Sequence, residues 1–304
     1  MKDPAEAERL LADGKRIPLE YIYIATRDKL AILGHWLLGK RSDVSAGQMA
    51  KYLFRKPLLA KGKGLAESLE NQESFNVIRL RGMDLPIYYP EEYELSTFYI
   101  NACSVFFPED WHYYEVQETS IAADDIVLDC GAAEGLFSVS VAGRCKRVYA
   151  IEPLPRFVEA LERTFERADN VELLPFALCD EVGRATMVDA GPLSSIGIRR
   201  EGASFDVETS TVDELFYKRG IPIDFIKADL EGYELLMLEG AENTIRENSP
   251  KIAIATYHKK EHEDEIRRYL ASTNDRYQIK TKGINQFGTA FMLHAWVECG
   301  RHRR

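Results

Sequence analysis

A doubly wound α/β fold, helices on both faces of a mostly parallel sheet, is predicted by three observations. A short apolar run, Ile126 to Leu128, ends in Asp129, turns through Gly131 and Gly135, and resumes as a helical pattern through Leu136, Phe137, Val139 and Val141. Short apolar runs then alternate with helical patterns, and the chain closes on two strands joined by a glycine-bearing turn. Finally, Asp129, Glu152, Asp229 and His258 all fall at predicted strand ends. Ligands of such sheets bind beyond the carboxyl ends of strands, so these four are expected to converge on one crevice.

The region before this pattern is read on its own. Residues 1–70 read as helical: 5–11 are rich in Ala, Glu and Leu, and Leu30, Leu33, Leu37 and Leu38 recur at helical spacing before Gly39. From 40 to 63, seven basic residues (Lys40, Arg41, Lys51, Arg55, Lys56, Lys61 and Lys63) face only Asp43 in opposition. They form a patch for an anionic substrate or a membrane surface, or else a solvated helical face. Residues 75–81 and 85–89 alternate about Gly82-Met83-Asp84 and predict a β-hairpin. The aromatic-rich stretch 98–114 reads as a lid or packing surface, and equally as one wall of an active-site mouth.

Strand one is 126–129. Its turn reads Asp-x-Gly-x-x-x-Gly, with Ala133 where a dinucleotide fingerprint has its second glycine, so pyrophosphate contact is disfavoured. Strand two, 147–151, leads to Glu152, about twenty residues past the glycine turn, where an acid accepts hydrogen bonds from ribose hydroxyls. Pro153 and Pro155 delay the next helix, 156–167. Strand three is 171–174; 186–189 and 204–208 read as extra strands flanking a polar loop with Ser194, Ser195 and Gly197. That loop is either a substrate contact or plain surface. Thr211 and Glu214 form a capping box for a short helix, 211–218. Strand four, 224–228, ends in Asp229-Leu230-Glu231-Gly232-Tyr233-Glu234 and a helix follows over 235–247. Strand five, 252–255, ends in Thr256-Tyr257-His258, and a charged helix over 260–270 precedes the closing strands 277–280 and 289–297.

The glycine segment resembles motif I of class I S-adenosylmethionine methyltransferases. The run Phe225-Ile226-Lys227-Ala228-Asp229-Leu230-Glu231-Gly232-Tyr233-Glu234, with Leu238-Glu239-Gly240-Ala241, is similar to the signature of the FkbM type. The 127–137 segment, the Ile151-Glu152-Pro153 step and Tyr257-His258 match it in order, so the resemblance covers about 115–297. It implies a Rossmann-like seven-stranded sheet and S-adenosylmethionine as cofactor. The implied cofactor contacts are Asp129, Gly131, Ala132, Glu134, Gly135, Glu152, Pro153, Phe176, Ala177 and Asp229. Phe176 and Ala177 would border the adenine, and loop amides would face the methionine carboxylate. The sequence departs from the family at Ala133-Glu134, where Asn and an aliphatic residue are common, and Glu134 can reach the methionine amino group. A 1–114 region of helices and a hairpin, serving as lid or as substrate and oligomer contacts, would precede a 115–304 methyltransferase domain.

The resemblance implies O-methylation of a hydroxyl on a small, sugar-like or natural-product acceptor. Methyl transfer needs in-line alignment and removal of the hydroxyl proton. Asp229, Glu231 and His258 are the candidate proton acceptors, His258 because an unperturbed imidazole titrates near pH 6.5 (about). Lys227 either orients these carboxylates or forms an ordinary strand ion pair. A divalent ion shared by Asp229, Glu231 and another carboxylate, as in some sugar O-methyltransferases, is the alternative and is not expected. An NAD(P)-dependent oxidoreductase is opposed by the missing Gly-x-Gly, and a non-catalytic scaffold by the retained strand-end polar residues.

A net charge of −10 over 304 residues disfavours a general nucleic-acid partner, and 45% hydrophobic content is ordinary for a globular chain. Five scattered cysteines without a Cys-x-x-Cys pair predict reduced thiols and no zinc site. No apolar leader or membrane span is evident, so a cytoplasmic protein with no stable membrane insertion is expected, and self-association stays open.

Overall fold

The computed structural model describes residues 19–55, 58–188, 195–196, 204–285 and 287–298. The expected 5–11 helix, and Ser194 and Gly197, lie outside them. The chain starts with α1 (Leu19–Leu37), α2 (Ala46–Phe54) and α3 (Leu58–Lys63). Ser45 caps α2 in a reciprocal box with Gln48. The expected hairpin is present as β2 (Phe75–Leu80) and β3 (Ile87–Pro90), but β1 (Ala66–Gln72) adds a third antiparallel strand. Helix α4 (Leu95–Phe106) then leads into the main sheet.

In chain order come β4 (Ile126–Cys130), α5 (Leu136–Ala142), β5 (Arg147–Ile151), α6 (Pro155–Phe165), β6 (Val171–Leu174) and a smaller sheet of β7 (Ala177–Leu178), β8 (Gly183–Val188), β9 (Ser195–Ile196) and β10 (Ser204–Ser210). There follow α7 (Val212–Leu215), β11 (Phe225–Ala228), α8 (Glu234–Glu239), α9 (Glu242–Asn248), β12 (Lys251–Ala255), α10 (His262–Thr273), β13 (Tyr277–Ile284) and β14 (Ala290–Val297). The seven-stranded sheet runs β6-β5-β4-β11-β12-β14-β13. It is parallel from β6 to β12, and β14 inserts antiparallel between β12 and β13. Strand order reverses between β4 and β11, the switch point that opens a crevice.

Both faces of the sheet are covered, which is why β4, β11 and β12 are apolar almost throughout. Leu128, Ile226 and Ile254 pack on one face, Val127, Phe225 and Ala253 on the other, all fully buried. A third cluster joins Ile87, Tyr89 and Phe98 of the first hundred residues to Leu136, Phe157 and Leu161 of α5 and α6. Two expectations need correction. The 235–247 helix breaks into α8 and α9 at Gly240, where a Cβ would stand 2.2 Å from the Cys179 carbonyl oxygen. Thr211 caps α7 by accepting from the Glu214 amide, but Glu214 turns to Lys218 rather than back to the cap, and α7 ends at Leu215. The four described cysteines are free thiols.

Candidate active site

The loop after β4 is drawn tight. Gly131 adopts φ +78°, and a Cβ there would meet the Asp229 carbonyl oxygen at 2.2 Å, so only glycine lets the β4 and β11 loops touch. The Gly131 and Ala132 amides both donate to the Ile151 carbonyl at 3.0 Å, and Gly135 donates to Ala132 at 2.7 Å before capping α5. Ala133, at φ +44°, donates to Glu152 Oε2 at 2.8 Å, and Leu154 donates to Oε1 at 2.9 Å. These amides turn inward, contrary to the expectation that they face a ligand carboxylate. Glu152 is the clasp under the loop, and burial pushes its carboxyl up to about 7 against those two amide hydrogen bonds.

Asp129 and Lys227 are register partners on neighbouring parallel strands, so their side chains share a face. Lys227 Nζ lies 2.9 Å from Asp129 Oδ1 and donates to the Gly131 carbonyl at 2.6 Å; Ser138 donates to Asp129 Oδ2 at 2.7 Å. Asp129 is fully buried and does not line the cleft, so its expected cofactor contact becomes a structural ion pair. Lys227 does reach the cleft wall.

The polar wall is built around Asp229. Tyr114 donates to its Oδ2 at 2.8 Å, and His112 Nε2 lies 3.2 Å from the same oxygen. Burial opposes ionisation of Asp229, yet His112, His258 and Lys227 together hold its carboxyl well below the usual range. Behind it sits His258, with Nε2 3.5 Å from Asp229 Oδ1 and 3.7 Å from Glu231 Oε1, and Nδ1 2.7 Å from Glu234 Oε1. Burial opposes its charged form, but the Glu234, Asp229 and Glu231 carboxylates push the imidazole up to about 9. His258 is therefore protonated at neutral pH, unlike the near-neutral base expected from an unperturbed imidazole. Glu234 is fully buried and accepts from the Leu230 and Gly232 amides at 2.8 and 3.3 Å, which fixes the loop carrying Glu231 at φ +52°.

These groups enclose a cleft of about 120 Å³ at the switch point. Asp229, Glu231, Lys227, Gly131, Ala132 and Glu134 line it from the sheet side. Thr97, Asn101 and Ser104 of α4, with His112 and Tyr114, line it from the other. Glu134 is 4% exposed, and its Oε2 lacks a hydrogen-bond partner. A buried carboxylate beside a lysine fits the ammonium and carboxylate of a methionine moiety.

Of the expected residues, the fold thus brings Lys227, Asp229, Glu231, Gly131, Ala132 and Glu134 to one cleft, with His258 directly behind. It does not bring the others there. Gly135 caps α5 and Glu152 lies beneath the loop. Pro153 borders a separate shallow groove, Phe176 packs on the main core, and Ala177 is buried with Met187 and Val207 in the small sheet. Glu115, which precedes the fold, pairs with Arg144. Sequence reasoning missed His112, Asn101 and Glu234; the aromatic 98–114 stretch was the only signal for the first two.

A seven-stranded sheet that is parallel from β6 to β12 with β14 antiparallel has the Rossmann-like arrangement of the class I methyltransferase fold. Residues 129–277, just under half of the chain, match the methyltransferase FkbM domain. No curated protein matches the chain. Among solved structures, the methyltransferase FkbM from Methylobacillus flagellatus KT is similar at 20% identity and a TM-score of 0.47, over 66% of this chain and 52% of that one. The chain therefore spans about half that protein's length (52%). An rRNA methylase from Streptococcus thermophilus is similar at 19% identity and a TM-score of 0.38, over 58% of this chain and 89% of that one. TYW2 of M. jannaschii, in complex with AdoMet, is similar at 11% identity and a TM-score of 0.39, over 75% and 86% of the two chains. Among the described residues, no helix is long and apolar enough to cross a membrane.

Proposed function

We propose that the chain methylates a hydroxyl oxygen of a small polar acceptor, sugar-like or a natural product. The carrying observation is that Glu134, Lys227, Asp229 and Glu231 line one small cleft together. S-adenosylmethionine supplies, when bound, the electrophilic methyl of a sulfonium. Glu134 and Lys227 would hold the two charged ends of its methionine part, and Glu152 fixes the loop that carries Glu134.

Asp229, fixed by Tyr114 and His112, would accept a hydrogen bond from the acceptor hydroxyl and so orient its oxygen. With the cofactor's sulfonium supplying the methyl, Asp229 or Glu231 would take up the hydroxyl proton on a carboxylate oxygen. A weakly basic carboxylate suffices, because the oxygen becomes strongly acidic as it gains the methyl. Protonated His258 keeps both carboxylates anionic and placed.

The test is calorimetry with S-adenosylhomocysteine, then transfer of labelled methyl to a panel of polyols, glycosides and hydroxylated polyketides. Binding followed by ether formation supports the reading. Methyl appearing only on nitrogen, carbon or RNA acceptors refutes the O-methyl assignment.

A further inference from the structure

Both ring nitrogens of His258 lack a hydrogen-bond partner, and each faces carboxylate oxygen. Nδ1 faces Glu234 Oε1 at 2.7 Å, and that oxygen is itself fixed by the Leu230 and Gly232 amides. The ring is thereby locked from behind. Nε2 points between Asp229 Oδ1 at 3.5 Å and Glu231 Oε1 at 3.7 Å and makes no hydrogen bond, although the side chain is only 8% exposed.

Those separations are too long for good hydrogen bonds. They match the edges of a coordination shell instead: donors each about 2.1 Å from a shared ion stand about 3.4 Å apart in a tetrahedron. One oxygen each of Asp229 and Glu234 and one His258 nitrogen also lie within 4.8 Å of one another. Glu234 Oε1 already serves two amides, so it suits the role of the carboxylate that orients a metal-bound histidine through its other nitrogen.

We propose that one divalent cation takes the place of the Nε2 proton of His258, bound by that nitrogen with Asp229 and Glu231, and that Glu234 is the positioning residue. One imidazole with two carboxylates suits Mn²⁺, Fe²⁺, Co²⁺ or Zn²⁺ ahead of Mg²⁺ or Ca²⁺, which favour all-oxygen shells. The purpose of the site, though not its existence, rests on the O-methyltransferase reading. An ion held on this wall would polarise the acceptor hydroxyl, and the Asp229 or Glu231 carboxylate oxygen not bound to the ion would take its proton.

The test uses the full chain, stripped with a chelator and titrated calorimetrically with MnCl₂ and with ZnCl₂, with and without S-adenosylhomocysteine. One ion per chain is expected. Glu231→Gln and His258→Asn should each weaken binding at least about tenfold, and Glu234→Gln by about 10–100-fold. S-adenosylhomocysteine binding should survive in all three, and circular dichroism checks that each is folded. Glu231→Gln changes a side chain on the cleft wall, so its reading does not depend on a core substitution. A folded chain that takes up neither ion overturns the proposal, as does binding that Glu231→Gln and His258→Asn leave intact. Failure of S-adenosylhomocysteine to bind would instead refute the methyltransferase reading, while one-to-one uptake of Mn²⁺ would still support the metal site.

Discussion

Glu134 shows how much depends on one side chain's surroundings. Burial is the main cause pushing its carboxyl up to about 7, against a hydrogen bond from Asn101 and the charge of Lys227. A carboxyl raised from 4.5 to about 7 holds more protons folded than unfolded, so it lowers stability as pH rises across that window. Ligand binding runs the other way, because an ammonium needs the ionised carboxylate. Affinity for S-adenosylhomocysteine should rise as pH passes through about 7, and Glu134→Gln should flatten the profile and weaken binding about tenfold. Glu152 titrates in the same window, so the difference between variant and wild type is the readout. Glu134, Asp229 and Glu231 were legible because each sits in a loop that follows a strand. The fate of Asp129 was not, since its pairing with Lys227 depends on the register between two strands about a hundred residues apart. Nor could spacing reveal His112, which no motif contains.

At the level of elements, the β4–α5 turn and the β2–β3 sheet make contrasting demands. Gly131→Ala places a Cβ against a backbone carbonyl in a left-handed residue, with no flexible group to give way. It should cost about 3 kcal/mol or more in urea unfolding and abolish S-adenosylhomocysteine binding. The β2–β3 sheet is tied to α6 by softer contacts. Arg156 donates to the Ser74 carbonyl at 2.8 Å, pairs with Glu92 and lies 4.2 Å over the Phe75 ring. With its side chain 20% exposed, Arg156→Ala should cost about 1–2 kcal/mol, measurable as a lowered urea midpoint at unchanged slope. The parallel strands were legible because burial on both faces makes them continuous apolar runs. Strand β1 was not: its Ala-Glu-Ser-Leu-Glu-Asn-Gln sequence is mostly exposed and gains its conformation from β2 alone. The break between α8 and α9 was hidden too, because only a tertiary contact with Cys179 requires it.

Across the whole molecule, the first hundred residues and the sheet share apolar packing. Ile87, Tyr89 and Phe98 cover α5 and α6, and Tyr114 reaches Asp229 from outside the matched 129–277 segment. We therefore propose that the two expected regions fold as one unit. Calorimetric melting should give a single transition with equal calorimetric and van't Hoff enthalpies. A chain restricted to 115–304 should expose Leu136, Phe157 and Leu161, aggregate on expression and fail to melt cooperatively. Two well-separated transitions, or a soluble shortened chain that melts cooperatively, would overturn this. The extent of the family resemblance suggested the boundary but carried no information on how much surface is shared across it.

The small cleft also sets a tempo. At about 120 Å³ it falls below the roughly 300–1,000 Å³ of ordinary ligand sites, and its loop amides are already spent on internal partners. Entry of a nucleoside ligand must wait for the walls to part. In stopped-flow tryptophan fluorescence, the observed rate with S-adenosylhomocysteine should level off at high concentration, at the frequency with which the chain opens by itself.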